Sequence, residues 1–386
     1  MSNKNKKRYE VSGPYFSSQD INWILNKTKK VLKGRLSTGP YTLEFEKKFA
    51  KFVGVKYAVF VNTCTSALEI AVKSLNLKTG DEVIVPCETF IATGMAVTSQ
   101  GGKVIFANIN PKTFCIDLEE IKKRVTKKTK AVMVVHFGGH MPLDIIKIKN
   151  YCRKKNISII EDSAHALGSK VGKFMAGSIG DAGCFSFFST KTISTGEGGM
   201  LTTNSKKIFK LALSLRERGR DWDKEGELYT RGWRSCRVPE ICAVMGLNQF
   251  SNIKKIISHR GRICKIYNRE LKKTSLFLTL PISKESKLSI WKHITLTNHP
   301  KLNRFKIAKT LKEKYQIIIN WAYDPPLHLQ PVYKKNNSMK KNFLKRSENL
   351  MKKHFHLPLH MQISERDAKY IITKLILEAK KITKIQ

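Results

Sequence analysis

Between residues 57 and 162, short apolar runs alternate with helix-patterned stretches, and that alternation constrains the fold more than any other feature of the chain. YAVFVN (57–62), EVIVP (82–86), KVIFANI (103–109), AVMVVHF (131–137) and ISIIED (157–162) are rich in Val, Ile and Phe and too short for helices, so they read as strands. SALEIAVKSL (66–75) and the stretches 92–99 and 144–154 read as the helices between them. A β-α-β-α order predicts a mostly parallel sheet covered by helices on both faces. Such sheets bind ligands at the carboxyl ends of their strands, so the residues ending each run are the first candidates for chemistry.

Two helices are expected ahead of this region. The first spans 18–33, capped by Ser18, with Ile21, Ile24, Leu25, Thr28, Val31 and Leu32 recurring on one face. After the turn-prone LSTGPY (36–41), the second spans 42–53, with Leu43, Phe45, Phe49 and Phe52 at near-helical spacing. Beyond about residue 250 the texture changes. A long basic helix over 251–272 leads into shorter elements punctuated by Pro281, Pro300, Pro325, Pro326, Pro331 and Pro358. The expected division is a large domain over 1–250 and a smaller α/β domain over 251–386, within the size that 386 residues allow. There is no internal repeat and no low-complexity linker.

Hydrophobic residues make up 41% of the chain, enough for a large core and against global disorder. Lys and Arg number 72 against 30 Asp and Glu, a formal charge of +42 that favours anionic small molecules and polyanions. The lysines are dispersed, as in KTKKVLKGR and KKIISHRGR, and no nucleic-acid recognition motif accompanies them, so no nucleic-acid partner is expected. None of the eight cysteines forms a pair with the two-residue spacing of a zinc knuckle or redox motif, so no metal site is expected and the thiols read as reduced. The N-terminal MSNKNKKRYEVSGPYFSS lacks an apolar signal core, and no run is apolar enough to span a membrane. A soluble cytoplasmic protein is expected.

The densest chemistry lies in IIEDSAHALGS followed by DAGCFSFFSTKTISTGEGG. Asp162 ends an apolar strand, at the ligand edge of the sheet. A carboxylate there can hold a pyridine nitrogen protonated and make the ring an electron sink. His165, three residues on, can cover or hydrogen-bond such a ring. Lys191 follows the strand-like CFSFFS and precedes the glycine-rich TGEGG. An apolar setting disfavours its ammonium form, and the neutral amine is what forms a Schiff base. Ser186 lies within reach of a phosphate. Singly, a strand-end Asp is most often a helix cap and a Lys near glycines is most often solvated; the combination in this order is far more specific.

With these motifs in place, the chain resembles the sugar-nucleotide aminotransferases of the DegT/DnrJ/StrS type, within the fold-type-I pyridoxal-phosphate enzymes. LSTGPYTLEFEKKFAKFVG, TCTSALEIAVKSL, GDEVIVPCETFIAT, VVHFGGH, EDSAHALGS, SFFSTKTISTGEGGM, PPLHLQPVY and HFHLPLHMQIS carry the resemblance in order and spacing over nearly the whole chain. It implies a mostly parallel seven-stranded sheet between helices in the large domain. It implies pyridoxal 5'-phosphate bound at Lys191, cycling through pyridoxamine 5'-phosphate. Asp162 would pair with the pyridine nitrogen and His165 would sit by the ring hydroxyl. Thr65, Ser66 and Ser186 would cradle the phosphate at a helix N-terminus, and Phe90 would stack on the ring, unless it is a core aromatic. Tyr323 and His328 would face the substrate or else be part of a structural loop. The implied reaction moves an amino group from L-glutamate to a keto sugar linked to a nucleotide, in a homodimer with shared sites.

Two positions depart from the family pattern. Cys64 stands where Gly is usual before the phosphate-loop Thr, a harmless exchange if the local φ is negative. In GWRSCRVPEICAVMG, Ser235 stands where many members have an Asn that reaches the neighbouring subunit's phosphate, and Arg237 stands at the usual Arg. The alternatives are a pyridoxamine-dependent sugar dehydratase, which would carry His in place of Lys191, and a non-catalytic regulatory relative, against which Asp162, His165 and Lys191 together argue.

Overall fold

The computed structural model describes residues 7–334 and 343–384, so the first six residues of the N-terminal segment lie outside the described residues. The strands are β1 (Tyr57–Val61), β2 (Glu82–Pro86), β3 (Lys103–Ala107), β4 (Thr129–Val135), β5 (Ser158–Asp162), β6 (Lys170–Val171), β7 (Phe174–Met175), β8 (Ala182–Ser186), β9 (Gly199–Thr203), β10 (Phe277–Thr279), β11 (Ser286–Lys287), β12 (His293–Thr297) and β13 (His354–Leu357). The helices are α1 (Ser18–Val31), α2 (Pro40–Val53), α3 (Cys64–Lys73), α4 (Ile91–Thr98), α5 (Leu118–Arg124), α6 (Ile145–Lys154), α7 (Lys206–Arg216), α8 (Glu240–Ser251), α9 (Ile253–Leu271), α10 (Arg304–Tyr315), α11 (Pro331–Lys334), α12 (Lys345–Lys353) and α13 (Glu365–Thr383).

Seven strands form the main sheet in the order β1-β9-β8-β5-β4-β2-β3. Only β9 runs against the rest, pairing antiparallel with both β1 and β8. Helices cover both faces, which is why the strands read as continuous apolar runs rather than alternating ones. The two-residue period still sorts the side chains. Val83, Val85, Met133 and Ile160 pack with α3, α4 and α7, whereas Ile84, Val132 and Ile159 pack with α5 and α6 on the other face. Phe45 and Phe49 of α2 join Phe60, Phe185 and Phe187 in a further cluster on α8.

The C-terminal residues build a second core around the antiparallel sheet β10-β12-β13, enclosed by α9, α10 and α13. Tyr9 belongs to this core and bridges to Ile317. The start of α9 packs with α2 and α8 through Ile253 and Ile256, while its end, from Ile263 to Leu271, packs in the C-terminal core.

Local expectations needed correction at four points. Ser17, not Ser18, caps α1, and it does so in a reciprocal capping box with Asp20. The second helix begins earlier, at Pro40, because Gly39 takes the cap position and proline suits a first helical turn. Leu43 is exposed; Thr42, Phe45, Glu46 and Phe49 form the buried stripe instead, and Glu240 holds the Gly39 amide and the Thr42 hydroxyl at 2.8 and 2.6 Å. The expected apolar face of α1 is also largely open in the single chain: Ile21, Leu25 and Leu32 are exposed and only Val31 of the helix is buried.

Candidate active site

β5 ends in Glu161 and Asp162, whose side chains point to opposite faces of the sheet. Glu161 is wholly enclosed. Burial works against its charge, but hydrogen bonds from His136 and from the Gly177, Ile179 and Gly180 amides outweigh it and hold the carboxyl below its usual range. It is a structural anion. Asp162 faces the cleft, taking a hydrogen bond from Thr93 Oγ1 at 2.7 Å and one from the Ala164 amide at 3.2 Å.

His165 lies in the turn after β5. Its Nδ1 accepts from the Gly138 amide at 3.3 Å, so the proton is assigned to Nε2, which donates to Tyr323 Oη at 3.2 Å. Burial, reinforced by the nearby amines of Lys191 and Lys292, keeps the imidazole well below its ordinary pKa and therefore neutral.

Lys191 follows β8 on the loop to β9. Burial lowers its amine from 10.5 to about 8, with partial compensation from Cys64 and Asp162. The Cys64 thiol beside it is pushed well up by burial, so it does not compete as a thiolate.

The phosphate end is built from the start of α3. Thr63 caps the helix by accepting from the Ser66 amide at 3.1 Å, and the Ser66 hydroxyl donates to Asn62 at 2.7 Å. The first-turn amides of Cys64 and Thr65 have no partner within the helix and carry its positive dipole end. Cys64 opens α3 and is not among the positive-φ residues, so the exchange from Gly costs no backbone strain. Gly199 makes this approach possible: a Cβ there would lie 2.3 Å from the Thr63 carbonyl oxygen.

Thr65, Phe90, Asp162, His165, Ser186, Lys191 and Tyr323 line one cleft of about 420 Å³ at the carboxyl ends of the strands. Phe90 is 53% exposed and caps α4, so it is a wall of the cleft and not a core aromatic. Ser66 does not line the cleft; its hydroxyl is turned to Asn62. His328 is buried elsewhere, against Phe106 and Glu348, with its Nε2 3.1 Å from the carboxylate. Ser235 is exposed and bridged to Glu217, which also takes Arg237 at 3.5 Å. Among the residues that escaped sequence reading, Trp291 lines the cleft, while Thr93 and Lys292 lie behind it, against Asp162 and near Lys191. Thr93 is an ordinary helix threonine in the sequence. Trp291 and Lys292 sit in SIWKHITLT, whose pattern signals only a strand.

The donor set fits pyridoxal phosphate. An amine that is readily deprotonated, a carboxylate anchored from behind, a neutral imidazole and the open amides of a helix N-terminus face one enclosed space.

The chain and its fold are similar to those of known proteins. The chain is 35% identical over 297 residues to a GDP-perosamine synthase from Escherichia coli O157:H7, covering 77% of this chain and 80% of that one. The structure matches Helicobacter pylori PseC, an aminotransferase involved in the biosynthesis of pseudoaminic acid, with a TM-score of 0.89 and 26% identity over 97% of this chain and 100% of that one. It matches the PLP form of the putative sugar aminotransferase Spr1654 from Streptococcus pneumoniae with a TM-score of 0.87 and 25% identity, covering 97% and 100% of the two chains. With a family model matching residues 19–376, the chain belongs to the DegT/DnrJ/EryC1/StrS aminotransferase family.

Proposed function

We propose that this aminotransferase moves an amino group from L-glutamate to a 3- or 4-keto sugar carried on a nucleotide, making an amino sugar for surface polysaccharide. One observation carries the reading: Lys191, Asp162, His165 and the N-terminus of α3 converge on a single cleft. Bound there, pyridoxal 5'-phosphate, alternating with pyridoxamine 5'-phosphate, supplies a sink for the electron pair left when the donor carbon loses its proton.

The residues divide the work. Lys191 anchors the cofactor through Nζ and, when free, takes and returns a proton at that atom; an amine near pH 8 is poised for both. Asp162 offers Oδ to the ring nitrogen, and neutral His165 adds no positive charge beside it. The Cys64 and Thr65 amides, the Thr65 hydroxyl and Ser186 bind the phosphate, with Ser66 bracing them through Asn62. Phe90 covers the ring. Tyr323 holds His165 and faces the substrate, and His328 supports the segment that carries Tyr323.

We assign the cofactor to the 1–250 domain and closure of the cleft to the 251–386 domain. The working form is a homodimer in which exposed Ser235 and Arg237 face the partner's cofactor. Its compartment is the cytoplasm, in keeping with eight free cysteines. No helix among the described residues is long and apolar enough to cross a membrane.

The test combines a panel of keto-sugar nucleotides with glutamate and borohydride trapping. Amination of a panel member and a reduced label on Lys191 are expected. A protein that gains no colour with pyridoxal phosphate and takes no label sinks the reading.

A further inference from the structure

Trp291 reaches the cleft from the residue pair that leads into β12, and four contacts fix it there. Its amide donates to the Gly138 carbonyl at 2.8 Å, and the Gly138 amide in turn holds His165. Its indole N–H donates to the Thr190 carbonyl at 2.7 Å, one residue before Lys191. Its ring stacks on His165 with centroids 3.9 Å apart and planes 24° from parallel. Lys191 Nζ lies 4.1 Å from the same ring centroid. An indole that is 5% exposed and tied at backbone, edge and face cannot turn without moving both functional residues.

We propose that Trp291 is a positioning residue for Lys191 and His165. It seats the Lys191 amine against a dry aromatic face, clamps the loop one residue earlier, and keeps the His165 ring parallel to the indole. This assignment rests on the functional reading above for its purpose, though its geometry does not. The residue acts in two opposing ways on the amine. The ring face favours the ammonium, about two- to fivefold at an exposed site and more where water is excluded. Excluding water favours the free base, and burial, of which the indole forms one wall, is the largest cause of the drop from 10.5 to about 8. Removing the indole therefore raises the titration midpoint of Lys191.

The experiment is competitive acetylation of the full-length protein freed of cofactor, read at Lys191 by mass spectrometry from pH 6 to 11. It compares the wild type with Trp291→Leu and Trp291→Phe. Trp291→Leu is expected to raise the Lys191 midpoint by about one pH unit, a tenfold drop in free base at neutral pH. Trp291→Phe keeps one aromatic ring but loses the second ring and the bond to Thr190, so a smaller rise of about half a pH unit, a threefold drop in free base, is expected. A midpoint unchanged or lower in both variants overturns the proposal, even if stability falls. If Trp291→Leu does not fold, Trp291→Phe decides alone. Wild-type protein that takes no borohydride label at Lys191 defeats the functional reading instead, and leaves the midpoint comparison standing.

Discussion

Thr93 donates its hydroxyl hydrogen to Asp162 Oδ2 at 2.7 Å, reaching from α4 to the end of β5. Thr89 Oγ1 lies 2.7 Å from Thr93 Oγ1. A hydroxyl has one proton to give, and Thr93 has spent its own, so Thr89 must be the donor in that pair. The result is a directed relay, Thr89 to Thr93 to Asp162, that orients the carboxylate before any ligand arrives.

Thr93→Val removes the donor to Asp162 with little change in volume. A hydrogen bond to a charged group contributes about 1.5–3 kcal/mol, so pyridoxal phosphate is expected to bind about tenfold or more weakly. Titration by absorbance checks this, and unchanged affinity refutes the role of the relay.

Asp162→Asn and Lys191→Ala are expected to fail in different ways. The amide variant still binds cofactor through Thr65 and Ser186 but slows the glutamate half-reaction by about 10²–10³-fold, because a neutral group cannot stabilise the ring's positive charge. Lys191→Ala accepts pyridoxamine phosphate, takes no borohydride label, and loses about 10²–10⁴-fold in proton transfer. Stopped-flow spectra of each half-reaction separate the two. A wild-type rate in Lys191→Ala removes Lys191 as the base.

Lys292 is 4% exposed and donates to Ser12 Oγ at 3.0 Å. Burial first, then Arg260 and Lys191, lower its amine from 10.5 to about 7. Below pH 7 the folded state must hold a charged, buried ammonium, whereas between 7 and 10.5 the unfolded state binds the extra proton and stability rises with pH. Lys292→Met is therefore expected to stabilise the apoprotein at pH 6 by about 2–4 kcal/mol, after discounting the lost bond to Ser12. The gain should shrink steadily above pH 7. Denaturant melts at pH 6, 8 and 10 measure it, and a gain independent of pH contradicts the assignment.

Gly199→Ala places a methyl 2.3 Å from the Thr63 carbonyl oxygen, in backbone that cannot swing aside. Overpacking of this kind costs about 1–3 kcal/mol. Because the displaced atoms are the N-terminus of α3, phosphate binding is expected to suffer more than stability. Comparing cofactor affinity with the thermal midpoint tests that ordering.

The main sheet was legible because its strands are buried on both faces and leave unbroken runs such as EVIVP, all five residues of which are buried. Asp162 could be nominated from sequence because it ends such a run, where topology presents a side chain to the ligand edge, and Lys191 because it lies between the strand-like CFSFFS and the glycine-rich TGEGG. Period alone also separates Asp162 from Glu161. What a single chain cannot encode locally is which hydroxyl faces which partner. Thr65 lines the cleft and Ser66 turns to Asn62 because the Thr63 cap pulls the first turn of α3 over. The alternative left open for Phe90, a core aromatic, falls away because it stands exposed at the cap of α4. The apolar face of α1 obeys helical spacing, yet the fold leaves it open, since periodicity reports a face and not its covering. Trp291 and Thr93 meet the site across 100 and 69 residues of chain, to Lys191 and Asp162 respectively. Contacts of that separation are decided by tertiary packing, and no local pattern carries them.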